Sequence, residues 1–145
     1  YTRYPAIKAA QYRRLDAIKN PLWVEAMATK IKRQKWFRWH DAGDLQSVEH
    51  MAKIIEVCKL TPDTQHWLPT QERQYLPKPE DVPANLIIRL SAAKVDGTAG
   101  NAWSHSSTVV TDGAPSCRAP DQGGKCLDCR ACWDKKVKNV SYGKH

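Results

Sequence analysis

Apolar positions along this chain change period from helical to strand-like and back, and the changes mark its elements. Ile7, Ala10, Gln11, Arg14, Leu15 and Ile18 give a mixed but helical spacing over residues 5–19, and Pro5 suits a first turn. Asn20-Pro21 breaks that run. Pro21 then opens a second helix to about Gln34, in which Trp23, Met27 and Ile31 share a face while Lys30, Lys32 and Arg33 stay in water. Residues 35–40, Lys-Trp-Phe-Arg-Trp-His, are compact and aromatic, as in a buried strand. Asp41-Ala42-Gly43-Asp44 is a turn, and Ser47 is an N-cap for a helix through Leu60 that Thr61-Pro62-Asp63 ends. Val48, Met51, Ile55 and Cys58 recur on one face of it, which makes Cys58 a core residue rather than a ligand.

A second strand follows at 64–69. A short helix beginning near Gln71 then leads into a loop with Pro77, Pro79 and Pro83. Ala84–Leu90 is apolar on both faces, as a strand of a parallel sheet must be. Ser106–Thr111 reads as a fourth strand, and Val137–Tyr142 alternates weakly as a last one. Strand, helix, strand, short helix, strand predicts βα units with right-handed crossovers. The fold class is α/β: an open partial (βα) barrel, or a small mainly parallel sheet flanked by helices, with a C-terminal cysteine-rich metal-binding loop. The strands are too few for eight-fold closure. At 145 residues the chain is one domain, with a helical N-terminal region (residues 1–34), a βα sheet region (residues 35–111) and a cysteine-rich segment (residues 112–145).

Charge adds a partner class. The formal net charge is +8, concentrated in the first third and near the C-terminus. It suits solvated helix faces and admits a nucleic-acid partner. No long apolar run is present, so no membrane span is expected. Clustered thiols without a secretory signal point to a reducing compartment. The chain opens on Tyr1 rather than methionine, so a preceding segment is expected.

Four of the five cysteines, Cys117, Cys126, Cys129 and Cys132, fall within sixteen residues, three of them in a CxxCxxC run. Gly123-Gly124 supplies positive φ for a tight wrap between Cys117 and the triplet. Four thiolates from one loop suit a 4Fe–4S cluster, with zinc as the alternative. Spacing favours the cluster, because structural zinc usually takes two well-separated pairs, whereas a cubane needs three closely spaced thiolates and one remote partner. Three cysteines each two residues apart make an awkward disulfide framework. Trp133 stands where a ferredoxin would carry proline, and offers a dry wall for a cluster.

Other candidates follow from architecture. In βα folds, functional groups gather where strand C-termini meet the next loops. Those positions are His40, Asp41, Asp44, Thr70, Gln71 and Ser91, and chain order places the cysteine loop at the same end. His40 and Asp44 would bind a ligand, hydrogen-bond cluster sulfides or relay protons; as a plain turn they would cap backbone groups instead. Arg89, near the end of an apolar strand, points into a polar lumen or snorkels from an edge. Trp103 and His105 would cover a site or simply pack.

The run Phe37-Arg38-Trp39-His40-Asp41-Ala42-Gly43-Asp44, the Ser47–Lys59 helix with Thr61-Pro62, and the ending Cys129-Arg-Ala-Cys132-Trp133 through Val137–Tyr142 to His145 resemble a phage-encoded family, the gene-product-eighty-eight-like domain of mycobacteriophages. The resemblance implies a phage origin and hence a host-cytoplasm setting. It also implies a partial barrel similar to that of radical S-adenosylmethionine enzymes, and an iron–sulfur cluster. Those enzymes use CxxxCxxC early in the chain and leave one iron open. Here the triplet is CxxCxxC, late in the chain, with Cys117 as a fourth ligand. A fully ligated cluster argues for a redox or structural role with a redox partner, over a cluster-dependent enzyme acting on a small molecule with His40, Asp44 or Arg89 as catalytic candidates. A zinc-stabilised nucleic-acid-binding protein is the third class.

Overall fold

The computed structural model describes residues 5–39, 44–92, 94–97, 103–111 and 115–144, without the side chains of Ile7 and Gln11. Among the described residues three α-helices, α1 (Pro5–Ile18), α2 (Trp23–Ile31) and α3 (Val48–Leu60), accompany five strands: β1 (Trp36–Arg38), β2 (Gln65–Thr70), β3 (Leu86–Ser91), β4 (Ser106–Val110) and β5 (Asn139–Gly143). All four pairings are parallel and the order is sequential, β1-β2-β3-β4-β5, in a curled half-barrel sheet. β4 begins level with the end of β3, pairing Leu90 with Ser106 and Ser91 with Ser107. A one-way stagger of this kind rolls a parallel sheet toward a barrel.

Local chemistry explains the boundaries. Asn20 Oδ1 accepts from Leu22 N at 2.9 Å, which delays α2 to Trp23 instead of Pro21. Ser47 caps α3 by accepting from His50 N at 3.0 Å. At its other end the Thr61 hydroxyl donates to Val57 O at 2.8 Å. The first strand is shorter than its aromatic run suggests, and the stretch after Gln71 forms only a 3-10 turn at Arg73–Tyr75. Proline at 77, 79 and 83 allows nothing longer there.

One sheet face is closed by helices. Ile31 of α2 and Met51, Ile54, Ile55, Val57 and Cys58 of α3 pack on Leu68, Leu86 and Ile88. Each fully buried aliphatic side chain contributes about 1.5–3 kcal/mol. Cys58 is wholly buried, its thiol pushed up to about 12 by desolvation, so it belongs to the core as its spacing implies. Val48 is 60% exposed at the first helical position and is not part of that face. His66 enters the same core as a neutral ring. Trp39 Nε1 donates to its Nδ1 at 3.0 Å, so the proton sits on Nε2, which faces Thr61 Oγ1 at 2.8 Å. Burial holds its pKa near 4. Trp103 is also packing: its indole donates to Ile88 O at 2.8 Å and its ring adjoins this core. By contrast α1 buries little, with Tyr12 58% and Leu15 38% exposed.

Candidate metal centre

The opposite sheet face carries Trp67 of β2, Ile87 and Arg89 of β3, and Val140 of β5. The connection from β4 to β5 folds over it. That connection is tied down in steps. Cys117 N donates to Ser141 O at 2.9 Å, while Ser116 and Ser141 exchange backbone-to-hydroxyl bonds at 2.7 Å each. A turn at Ala119–Gln122 ends in Gly123 (φ 68°) and Gly124 (φ 77°), the left-handed pair expected from the sequence. Leu127, inside the cysteine triplet, also takes positive φ (53°), a conformation that costs a non-glycine residue roughly 1–2 kcal/mol. Arg130 braces that turn by donating from Nη1 to Leu127 O at 2.6 Å and Cys129 O at 2.8 Å.

Arg89 pins the far side of the segment. Its side chain is wholly buried. Nε donates to Cys132 O (2.9 Å), Nη2 to Ala131 O (2.9 Å) and Asp134 O (3.0 Å), and Nη1 to Ser106 O and Lys138 O (3.4 Å each). All five N–H groups are therefore spent on backbone carbonyls. The residue does face a polar interior, but as a splint between β3 and the cysteine segment. It has no donor left for a substrate.

Cys117, Cys126, Cys129 and Cys132 line one narrow hollow, with Ser116, Trp133 and Val140 among its walls. All four thiols are free of disulfides. Cys132 is buried, Cys117 half-buried, and Cys126 and Cys129 are exposed. Burial raises the Cys132 thiol. The Tyr142 hydroxyl 3.2 Å from its sulfur and the Arg89 cation pull it back, while Cys117 and Cys126 push it up again. Burial and the neighbouring Cys132 raise the Tyr142 phenol, so its hydroxyl keeps a proton to give to that sulfur once Cys132 is a thiolate. Among the described residues no three His, Cys, Asp or Glu side chains stand close enough together to grip one metal ion. The hollow measures about 20 Å³, room for roughly one water molecule.

The donor set nonetheless suits a thiophilic centre, since soft thiolates select zinc or iron–sulfur clusters. A second feature of this face points the same way. Trp67 Nε1 is buried among Cys132, Trp133 and Val140, and it has no hydrogen-bond acceptor among the described residues. An N–H left in that state costs about 1–3 kcal/mol.

The strand-exit candidates lie elsewhere. The Asp44 carboxylate accepts from Leu45 N (2.7 Å), Gln71 N (2.8 Å) and the Thr70 hydroxyl, so it latches the β1–α3 loop to the end of β2. This is the capping role of a turn. His40 and Asp41 lie outside the described residues. Asp44, Thr70, Gln71 and Ser91 do not line the cysteine hollow, so the segment does not stay at the strand exits as chain order suggests. It folds back across the sheet face because Arg89 and Ser141 draw it there. His105 Nε2 meets Lys135 O at 2.8 Å and supports the segment's exit. Tyr142 and Trp67 were not among the expected site residues. The alternation Val140/Tyr142 in β5 was the one signal that both share the inward face.

A family model described as Gene product 88 matches residues 1–135, a span that holds all four cysteines of the hollow. No curated protein and no solved structure matches the chain.

Proposed function

The chain belongs to the Gene product 88 family, a phage gene-product family, and on that premise we propose that it is an iron–sulfur protein whose Cys117, Cys126, Cys129 and Cys132 hold a 4Fe–4S cluster in a redox or structural role. The observation that carries this reading is the convergence of four unpaired thiols on one hollow. Sulfurs on a single zinc ion stand about 3.8 Å apart, given Zn–S bonds near 2.3 Å. Cluster thiolates sit on separate iron corners, so four sulfurs around one hollow need not meet at a single point to hold one.

A bound cluster would supply one-electron chemistry. Around it, Trp133 and Val140 exclude water, Tyr142 donates to the Cys132 sulfur, and Arg89 holds positive charge behind that residue's carbonyl. The hydrogen bond and the positive charge favour the more negative, reduced state. With Arg89 and Asp44 engaged in structural bonds, a catalytic role finds less support than electron exchange or reinforcement of the fold.

One observation favours a single zinc ion instead: the hollow is ion-sized as it stands. Metal analysis separates the two. Protein purified without oxygen is expected to be brown, to carry iron and acid-labile sulfide in equal amounts, and to give a paramagnetic signal on reduction. One zinc per chain with no sulfide would overturn the cluster. Cys117→Ala is expected to leave a labile cluster, and unchanged iron retention in that variant would remove Cys117 from the ligand set.

A further inference from the structure

A second cavity lies beyond Trp133 from the cysteine hollow. It is a cleft of about 360 Å³ at the end of the sheet where the strands begin, beside Trp36, Gln65 and Leu86, the first residues of β1, β2 and β3. Its volume falls in the range of small-molecule sites, roughly 300–1,000 Å³. Two indoles line it, Trp36 and Trp133, with centroids 5.7 Å apart and planes at 66°. Two cations line it as well, Arg130 and Lys135, against one carboxylate, Asp134. The guanidinium of Arg130 lies 5.2 Å from the Trp36 ring centroid, and Lys35 Nζ lies 6.0 Å from it. Arg130 spends only Nη1 on Leu127 and Cys129, so Nε and Nη2 meet no acceptor among the described residues. The Gln65 side chain also has none there, which leaves an amide donor and acceptor beside the rings.

Aromatic faces next to a guanidinium with Nε and Nη2 unspent and an ammonium that gives one bond, to Pro83 O at 3.4 Å, with an amide at hand, match a planar heterocycle carrying a phosphate. We propose that this cleft binds a nucleotide unit, with the base against Trp36 and Trp133 and the phosphate at Arg130 and Lys135. The unit is a free nucleotide or one residue of a single strand. The inference stands apart from the cluster, although Trp133 lines both the cleft and the cysteine hollow and joins the two sites physically.

The test is calorimetric titration of the full chain, purified without oxygen, with ATP, with inorganic triphosphate, and with a thymidine oligonucleotide at two salt concentrations. Stacking of one base contributes about 1–3 kcal/mol, so ATP is expected to bind at least about fivefold more tightly than inorganic triphosphate. Trp36→Leu is expected to abolish that difference. Arg130→Gln and Lys135→Gln are expected to weaken ATP and triphosphate alike, by about tenfold for Arg130. These two positions are half-buried and exposed, so the test survives should Trp36→Leu not fold. Tighter binding of the oligonucleotide, weakening steeply with salt, identifies a strand as the source of the unit; binding of ATP alone identifies a free nucleotide. Equal affinity for ATP and triphosphate, no binding of either ATP or oligonucleotide, or unchanged binding in both cation variants would overturn the proposal.

Discussion

Replacing Arg89 with methionine tests the attachment of the cysteine segment to the sheet. Methionine matches the aliphatic stem and removes the five N–H groups. Three of the bonds lost are short, at 2.9, 2.9 and 3.0 Å, and two are long at 3.4 Å. Hydrogen bonds to a charged group are each worth about 1.5–3 kcal/mol, but burial of a guanidinium costs several kcal/mol in return. The net depends on which carbonyls are left unsatisfied. Ala131 O keeps Asp134 N at 3.2 Å, Asp134 O keeps Val137 N at 3.0 Å, and Lys138 O keeps Ser106 N at 2.8 Å. Cys132 O has no other donor among the described residues, and leaving it bare costs about 1–3 kcal/mol. The expected loss is therefore about 2–3 kcal/mol in urea unfolding of the metal-free protein under reducing conditions. Local detachment should accompany it. Of the five cysteines, Cys58 and Cys132 are buried, so the other three thiols should react rapidly with a disulfide reagent in the parent and four in Arg89→Met, with Cys58 still protected. Arg89→Lys should resemble methionine, because one ammonium cannot reach carbonyls on both sides of the fork. Stability within 0.5 kcal/mol of the parent (roughly the scatter of a neutral surface change), with Cys132 still slow to react, would refute the splint.

Acid should destabilise the chain through His66. Its pKa is about 4 folded against 6.5 unfolded, so the unfolded state takes up the proton first as pH falls below 6.5. Stability is then expected to drop by about 3 kcal/mol between pH 6.5 and 4 and to level off below, and His66→Gln should flatten that slope in pH-dependent urea titrations. Asn85 Nδ2 donates to Cys58 O, Thr61 O and Thr64 O at 2.9, 3.0 and 3.0 Å, tying the end of α3 to the start of β3. Asn85→Ala should cost about 2 kcal/mol in thermal or urea unfolding. Tyr142→Phe deletes the donor to the Cys132 sulfur. The reduction potential of a cluster-loaded protein should move negative in a redox titration, with iron content retained. Removing the metal with a chelator should raise amide hydrogen exchange across 115–137 while α2, α3 and β1–β3 keep their protection, because metal affinity is folding free energy for the segment it binds.

The helix face was legible because its signals are local. Periodic Met51, Ile55 and Cys58, the Ser47 cap and the doubly apolar β3 each follow from backbone geometry within a few residues. That the four cysteines line one hollow follows likewise from their closeness in sequence. What could not be read was the segment's place, since its attachments are remote. Arg89 reaches carbonyls 17 to 49 residues away, and Ser116 meets Ser141 across 25. A lone arginine in an apolar strand announces a polar surrounding and says nothing of what supplies it. Asp44 is ambiguous in sequence for a similar reason: a carboxylate in a turn carries the same local pattern whether it binds a ligand or, as here, accepts from Gln71 N.

The two faces of the sheet are closed by different physics, and the difference bears on what the cysteines do. On the helix face, α2 and α3 are held by a continuous cluster of buried aliphatic side chains. On the other face, the covering segment offers few apolar groups; Cys132 is its buried side chain, with Ala131, Trp133 and Val137 half-covered. Its hold on the sheet is mostly polar, through Arg89, the Ser116–Ser141 pair, Cys117 N on Ser141 O, His105 on Lys135 O, and the Trp133 indole donating to Phe37 O. It also carries a left-handed leucine and covers a tryptophan N–H with no acceptor among the described residues. A segment so weakly provided for by packing gains most from a bound centre. Thiolate ligation would link Cys117, beside β5, to the triplet beside Arg89 and close the loop between them. Such a link would make occupancy of the hollow and order of the segment one equilibrium, and Trp133, which lines both cavities, would carry it to the cleft where the strands begin.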